Sequence, residues 1–203
     1  MTSDKIVTAR RAASLILLRD PLTAPSVLMG QRGAFHKFMP GRLVFPGGGV
    51  DAEDRAAPLA ALPPADVMTR LNRQTTDEPV LAHGMLSALA RELLEETGLD
   101  LGDPPDVSSV DLLCRAITPP SNPIRFDAFF FVAPAEVAKG VLAGSGELEE
   151  LRWYPLEEAL AFDLAWITHK VLLELKEWLA LDAEARRARV KIKVMRHREW
   201  SLE

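Results

Sequence analysis

Residues 91–99 read RELLEETGL, and no other stretch restricts the chain so tightly. Glu92, Glu95 and Glu96 place three carboxylates within five residues. On a helix of 3.6 residues per turn they form one patch, opposite an apolar face of Leu86, Ala90, Leu93, Leu94 and Thr97. This period predicts a helix over Met85–Thr97, with Gly98 as its C-cap. Like charges so spaced repel by roughly 0.2–0.5 kcal/mol per pair. A solvated charged face, with Arg91 pairing Glu95 one turn on, is the plain account. A divalent cation is the sharper one, because compact oxygen ligands suit Mg²⁺ or Mn²⁺ and the ion removes the repulsion. The loop Phe45-Pro46-Gly47-Gly48-Gly49 favours the second account, since bare backbone can lie against a ligand.

The remaining chain predicts an α/β layered sandwich. Strands are expected at Ala12–Arg19, Ser26–Arg32, Arg42–Phe45, Val110–Ile117, Arg125–Val132 and Leu148–Tyr154, with helices at Pro155–Ala161 and Ala165–Leu181. Residues 189–196 alternate Val190, Ile192 and Val194 with Arg189, Lys191 and Lys193, a strand with one basic face. That face could meet substrate phosphates or a homodimer partner, but a wet edge strand is the simpler reading. A length of 203 residues suits a single domain over 1–203, and 48% hydrophobic residues can build its core. The net charge of −5 gives no electrostatic case for nucleic acid. One cysteine, Cys114, allows no intramolecular disulfide and reads as a small buried hydrophobe. No apolar run is long enough for a membrane span and no secretory signal is evident, so a cytoplasmic location is expected.

Together the glycine loop and the acidic helix resemble the Nudix box. That pattern is a glycine, five residues, a glutamate, seven residues, then R-E-U-x-E-E-x-G-U, with U aliphatic. Arg91, Glu92, Leu93, Glu95, Glu96, Gly98 and Leu99 match every fixed position of its second half. Gly48 matches the first half, and Asp54 stands where the glutamate is usual. Between Asp54 and Arg91 lie 36 residues instead of seven, so an insertion at about 55–83, with helix of its own, splits the box. The resemblance implies a Nudix-type α/β/α sandwich with a mixed central sheet. It also implies a Mg²⁺- or Mn²⁺-dependent hydrolase cleaving a small-molecule diphosphate. Glu95 and Glu96 would be the principal metal ligands, Glu92 a further ligand or the base that orients water, and the Gly48 carbonyl a backbone ligand. Arg91 would pair with Asp54 or Glu95 to fix the junction of loop and helix.

Outside the box, VLMGQR, FMPGRLVFPGGGVDAED and PPSNPIRFDAFFF resemble the coenzyme A and acyl-coenzyme A diphosphatase branch. The second arginine usual in its signature is absent; Lys37 and Arg42 are the nearest cations after Arg32. Arg32, Arg42 and Arg125 are the expected substrate-binding residues. His36 is expected to be solvent-exposed, Phe129–Phe131 to be core, and one of Glu147, Glu149 and Glu150 to serve as a late carboxylate. The alternatives are hydrolysis of nucleoside diphosphate sugars and a non-catalytic, ligand-sensing Nudix domain.

Overall fold

Leu15–Leu18 is an unbroken apolar run, a pattern that suits a strand covered on both faces. The computed structural model, which describes residues 7–33, 41–78, 80–144 and 146–203, puts it there. The N-terminal part holds β1 (Arg10–Arg19), β2 (Ser26–Arg32), β3 (Leu43–Val44), β4 (Gly47–Gly49), α1 (Ala65–Gln74), α2 (Leu81–Thr97) and β5 (Leu99–Asp100). Next come β6 (Asp111–Ile117), β7 (Phe126–Pro134), β8 (Lys139–Gly140), β9 (Leu148–Pro155) and α3 (Leu156–Ala161). The chain closes with α4 (Trp166–Leu179), α5 (Ala183–Arg187), β10 (Lys193–Arg196) and β11 (Glu199–Leu202).

The main sheet runs β11-β10-β6-β7-β1-β2-β3, with β4 also on β1 and β9 also on β2. It is mixed: β1–β7 and β6–β10 are parallel, and its other pairs are antiparallel. Ala13, Leu15 and Leu17 pack with α1 and α2 on one face. Ile16 and Leu18 pack with α3 and α4 on the other. The same alternation in β7 sends Phe129 and Phe131 to the first face and Phe130 to the second. The result is an α/β/α sandwich. None of its described helices is long and apolar enough to cross a membrane.

Three expectations need correction. Helix α2 starts at Leu81, not Met85, and Leu94 is 51% exposed, so it lies outside the buried face. The reason is geometric: Leu86, Leu89 and Leu93 centre that face, and Leu94 sits about 100° beyond Leu93. The tail forms a strand only from Lys193, and β10 is an inner strand because β11 pairs with its free side. Its basic face is consumed by the fold: Lys193 pairs with Glu174 at 2.6 Å and with Glu177, and Arg189 donates to the Leu112 carbonyl.

The segment between the two halves of the box contributes to the core. Helix α1 buries Val67 and Leu71 against the α2 layer. Its buried Arg70 donates to Asp66 (3.0 Å), Asp111 (2.7 Å) and the Arg189 carbonyl (2.9 Å). Truncating a fully buried leucine removes its transfer energy and leaves a cavity. Leu71→Ala should therefore cost about 2–5 kcal/mol. Urea denaturation should show a lower midpoint with an unchanged m-value. An unchanged midpoint would mean that α1 is an appendage.

Candidate active site

The glycine loop is a strand of the sheet. Gly47, Gly48 and Gly49 pair with Ser14, Ala13 and Ala12 of β1. Gly47 has φ +150°, and a side chain there would strike the Ala13 carbonyl and Ser14. At Gly48 a Cβ would enter the Glu92 carboxylate. Bare backbone is thus needed at both positions, for two different reasons: the first fits the loop to β1, and the second makes room for an acid.

Arg91 joins loop to helix. Its Nε and Nη2 donate to Asp54 Oδ1 and Oδ2 at 3.0 and 2.9 Å, and Nη2 also reaches the Gly49 carbonyl at 3.0 Å. Its Nη1 donates to Glu92 (2.9 Å) and Glu95 (3.1 Å). The hydrogen bond to Asp54, then the neighbouring charges, raise the guanidinium's pKa against the effect of burial. Asp54 is 3% exposed and also accepts from the Asp51 amide at 2.8 Å. The aspartate therefore closes the junction despite its shorter side chain.

Glu96 is 4% exposed, and its Oε2 accepts from the Gly47 amide at 2.7 Å. Burial first, then Glu92 and Glu147, push its pKa up to about 7, opposed by the Gly47 amide and Arg32. Burial also raises Glu92, with Glu95 and Glu147 adding to the rise and Arg91 opposing it. Glu92, Glu96, Glu147 and Arg32 line one cavity of about 840 Å³, a volume suited to a small molecule. The cavity continues along the α4 face of the sheet, past Phe126, Phe130, Trp166 and Met195. The two α2 glutamates reach it from the opposite face because the intervening strand, β4, carries no side chains.

The structure separates the expected site residues. Glu92, Glu96, Gly48 and Arg32 share the cavity. Arg91 does not line it and acts as a positioning residue. Glu95 also lies outside, its side chain 56% exposed and turned to Arg91. Arg42 binds Asp163 and lines a separate hollow with Tyr154 and Phe162. Arg125, at the start of β7, donates to the Val7 and Thr118 carbonyls and does not line the cavity. Of the three late glutamates only Glu147 lines the cavity; Glu149 and Glu150 are exposed on β9. Lys37 and His36 lie outside the described residues.

Sequence reasoning missed Arg10, Arg11, Arg55, Trp166, Thr168 and Arg198, all of which line the cavity. No local motif marks them. Arg11 pairs with Asp127 and Asp77, and Arg55 donates to Glu78 at 2.6 Å. Asp127 is itself clamped by Arg115 at 2.7 and 2.6 Å.

The site's donors are all oxygen. Glu92 and Glu96 are buried close enough to repel each other, and both feel Glu147, as expected of ligands for a hard divalent cation. Among the described residues no three acid, imidazole or thiol side chains close on a single point. Glu92 is drawn toward Arg91 and Glu96 toward Gly47. The set fits Mg²⁺ or Mn²⁺ by chemistry, with Glu92, Glu96 and Glu147 as the side chains that would hold it.

The fold is a mixed α/β/α sandwich with the acidic face of α2 set against a glycine strand. Residues 84–175 match the family model described as NUDIX domain. Solved structures agree in fold. A NUDIX hydrolase from Alicyclobacillus acidocaldarius superposes with a TM-score of 0.65 at 22% identity, covering 92% of this chain and 98% of that one. A MutT NUDIX hydrolase from Burkholderia pseudomallei gives 0.54 at 22%, covering 83% and 99%. The NUDIX domain of Shewanella oneidensis NrtR, solved with ADP ribose, gives 0.53 at 19%, covering 86% and 90%. No curated protein matches the sequence.

A carboxyl whose pKa is higher folded than unfolded binds more protons in the native state. Its contribution is therefore full below the ordinary glutamate range and is lost as pH rises through the folded value. With Glu96 at about 7, metal-free protein should lose roughly 3 kcal/mol through this group between about pH 4.5 and 7.5. Urea titrations in EDTA should show the loss. Glu96→Gln, which can still accept from Gly47, should remove that share of it. A wild-type profile matching the variant's would contradict the assignment.

Proposed function

We propose that the protein is a Mg²⁺- or Mn²⁺-dependent hydrolase that splits the diphosphate linking a nucleotide to another moiety. Coenzyme A or an acyl-coenzyme A is the first candidate substrate. The observation that carries the reading is half-buried Glu92 and buried Glu96 against a side-chain-free strand, lining a cavity sized for a nucleotide derivative. When bound, the divalent ion would neutralise charge on the phosphate oxygens and acidify water.

The chain's own residues do the positioning. Glu96, held by the Gly47 amide, and Glu92, seated at Gly48, present carboxylate oxygens at the cavity wall. The Gly48 carbonyl is the backbone candidate for the same ion. Glu147 approaches from the loop before β9 and is the candidate to orient the attacking water. Arg32 also lines the cavity, and its buried Nε has no hydrogen-bond partner among the described residues. It is placed to receive a phosphate oxygen, for which arginine is the better bidentate donor. Arg91 reaches no reacting atom and holds loop and helix in register.

The coenzyme A candidacy rests on the sequence segments flanking the box. The resemblance to the Shewanella domain solved with ADP ribose supports a second reading, a nucleoside diphosphate linked to a sugar. Glu92 and Glu96 weigh against a purely sensing role, since ligand capture alone has no need of carboxylates brought together at some electrostatic cost. In a screen of coenzyme A, acyl-coenzyme A, ADP-ribose, NADH and nucleoside triphosphates, coenzyme A should yield 3′,5′-ADP and 4′-phosphopantetheine. Brisk cleavage of ADP-ribose beside an inert coenzyme A would hand the substrate to the second reading.

The metal has its own test. EDTA should abolish turnover, and Mg²⁺ or Mn²⁺ should restore it. Glu96→Gln should lower kcat by at least about a hundredfold, since several kcal/mol of charge stabilisation pass through such a ligand. Full activity in EDTA would sink the metal-dependent mechanism.

A further inference from the structure

Two of the arginines that line the cavity are held by acids from one short stretch of the inserted segment. Arg11 pairs with Asp77, and Arg55 Nε donates to Glu78 at 2.6 Å. Both arginines stand beside the end of the glycine strand. The Arg11 carbonyl accepts from the Val50 amide at 3.0 Å, and Arg55 Nη1 donates to the Asp51 carbonyl at 2.7 Å. The stretch that carries the two acids is anchored at its start. Arg115 donates to the carbonyl and to the Oε1 of Gln74, both at 3.1 Å. The hydroxyl of buried Thr75 donates to the Leu71 carbonyl at 3.1 Å, and its carbonyl accepts from the Glu78 amide at 3.1 Å.

The partners of these arginines differ in how firmly they are committed. The Asp127 side chain is buried and already bound through both oxygens by Arg115, so its pair with Arg11 belongs to the fold. Asp77, on Nη2 of the same guanidinium, is 62% exposed. An ion pair so open to water contributes little and is easily exchanged. Glu78 is about as open as the Arg55 that it binds, 32% against 29%. Arg11 and Arg115 together balance Asp127 and Asp77. Withdrawal of Asp77 therefore leaves one positive charge at the cavity wall.

We propose that Arg11 and Arg55 are ligand-binding residues whose guanidinium groups Asp77 and Glu78 occupy until an anionic ligand displaces them. The inserted segment thus supplies counter-ions that stand in for the ligand's own oxygens. This rests on the reading that the cavity takes a diphosphate, and it gives the insertion a part in selectivity. Arginine binds phosphate through two nitrogens at once, and a diphosphate carries more charge than either carboxylate it replaces. A ligand with less charge gains less from the exchange. The two acids therefore favour polyanions over singly phosphorylated compounds.

Binding can be measured without turnover, so full-length protein with Mg²⁺ is titrated calorimetrically with α,β-methylene-ADP, whose bridge resists hydrolysis, and with AMP. The double variant Asp77→Asn, Glu78→Gln should bind α,β-methylene-ADP at least about fivefold more tightly than wild type, since no ion pair has to open first. AMP should gain less. The double variant Arg11→Gln, Arg55→Gln should bind α,β-methylene-ADP at least about tenfold more weakly. In that background the two acid substitutions should change nothing further. Asp127 keeps Arg115 in these variants, and a thermal melt checks that they fold; the exposed acid substitutions test the proposal even where the arginine variants do not. Unchanged or weaker binding after removal of the acids would overturn the proposal, because they would then only position the arginines. Tightening that survives without Arg11 and Arg55, an equal gain for AMP, or absence of binding by every variant would overturn it too. Failure to hydrolyse any diphosphate would count against the catalytic reading and leave these titrations to stand or fall separately.

Discussion

The two-pronged pair between Arg91 and Asp54 holds together parts of the chain that the sequence keeps well apart. Asp54 belongs to a short turn after the glycine strand and Arg91 to the middle of α2. A fork of guanidinium nitrogens on a buried carboxylate fixes distance and orientation together, which one hydrogen bond cannot do. The remaining donors of Arg91 then reach Gly49, Glu92 and Glu95. One cation thereby positions the loop and offsets part of the repulsion among the acids. Removing it would leave Asp54 buried without its counter-charge, usually a larger loss than the pair's net contribution.

The site then depends on where side chains are missing. The carboxylates originate on the α1–α2 face of the sheet, and the cavity opens on the α4 face. A strand with any bulk at Gly48 would block Glu92, and one with bulk at Gly47 would be pushed off β1. Three consecutive glycines are entropically costly to order. The pairing of β4 with β1 and the Glu96 bond to Gly47 offset that cost locally.

Period-two alternation divides the aromatic residues between stability and recognition. Phe129 and Phe131 are fully buried beneath the helices of one face, whereas Phe126 and Phe130 line the cavity on the other. The run FDAFFF thus serves both core and site, and a shift of one residue in the β1–β7 register would exchange the two sets. Asp127, buried between Arg115 and Arg11, holds that register with charge as well as packing.

Much of this was legible in the residues. The helix of α2 follows from its apolar period and the acidic patch from spacing alone, whereas the glycine segment reads as a loop and is a strand only in the fold. Asp54 and Glu95 are each legible as a candidate partner of Arg91, but that it binds both at once is seen only in the fold. The sequence could not assign the arginines. Arg32, Arg42 and Arg125 look alike in one dimension, but backbone carbonyls and Asp163 claim two of them, and only Arg32 keeps its charge for the cavity. Likewise Arg198, Trp166 and Thr168 follow no local pattern, since their meeting depends on a parallel pairing between β10 and β6 and on the path of α4 over the sheet. Local chemistry is written in neighbouring residues and can be read from them. Which charges remain unspent is settled only when distant segments compete for them in the folded chain.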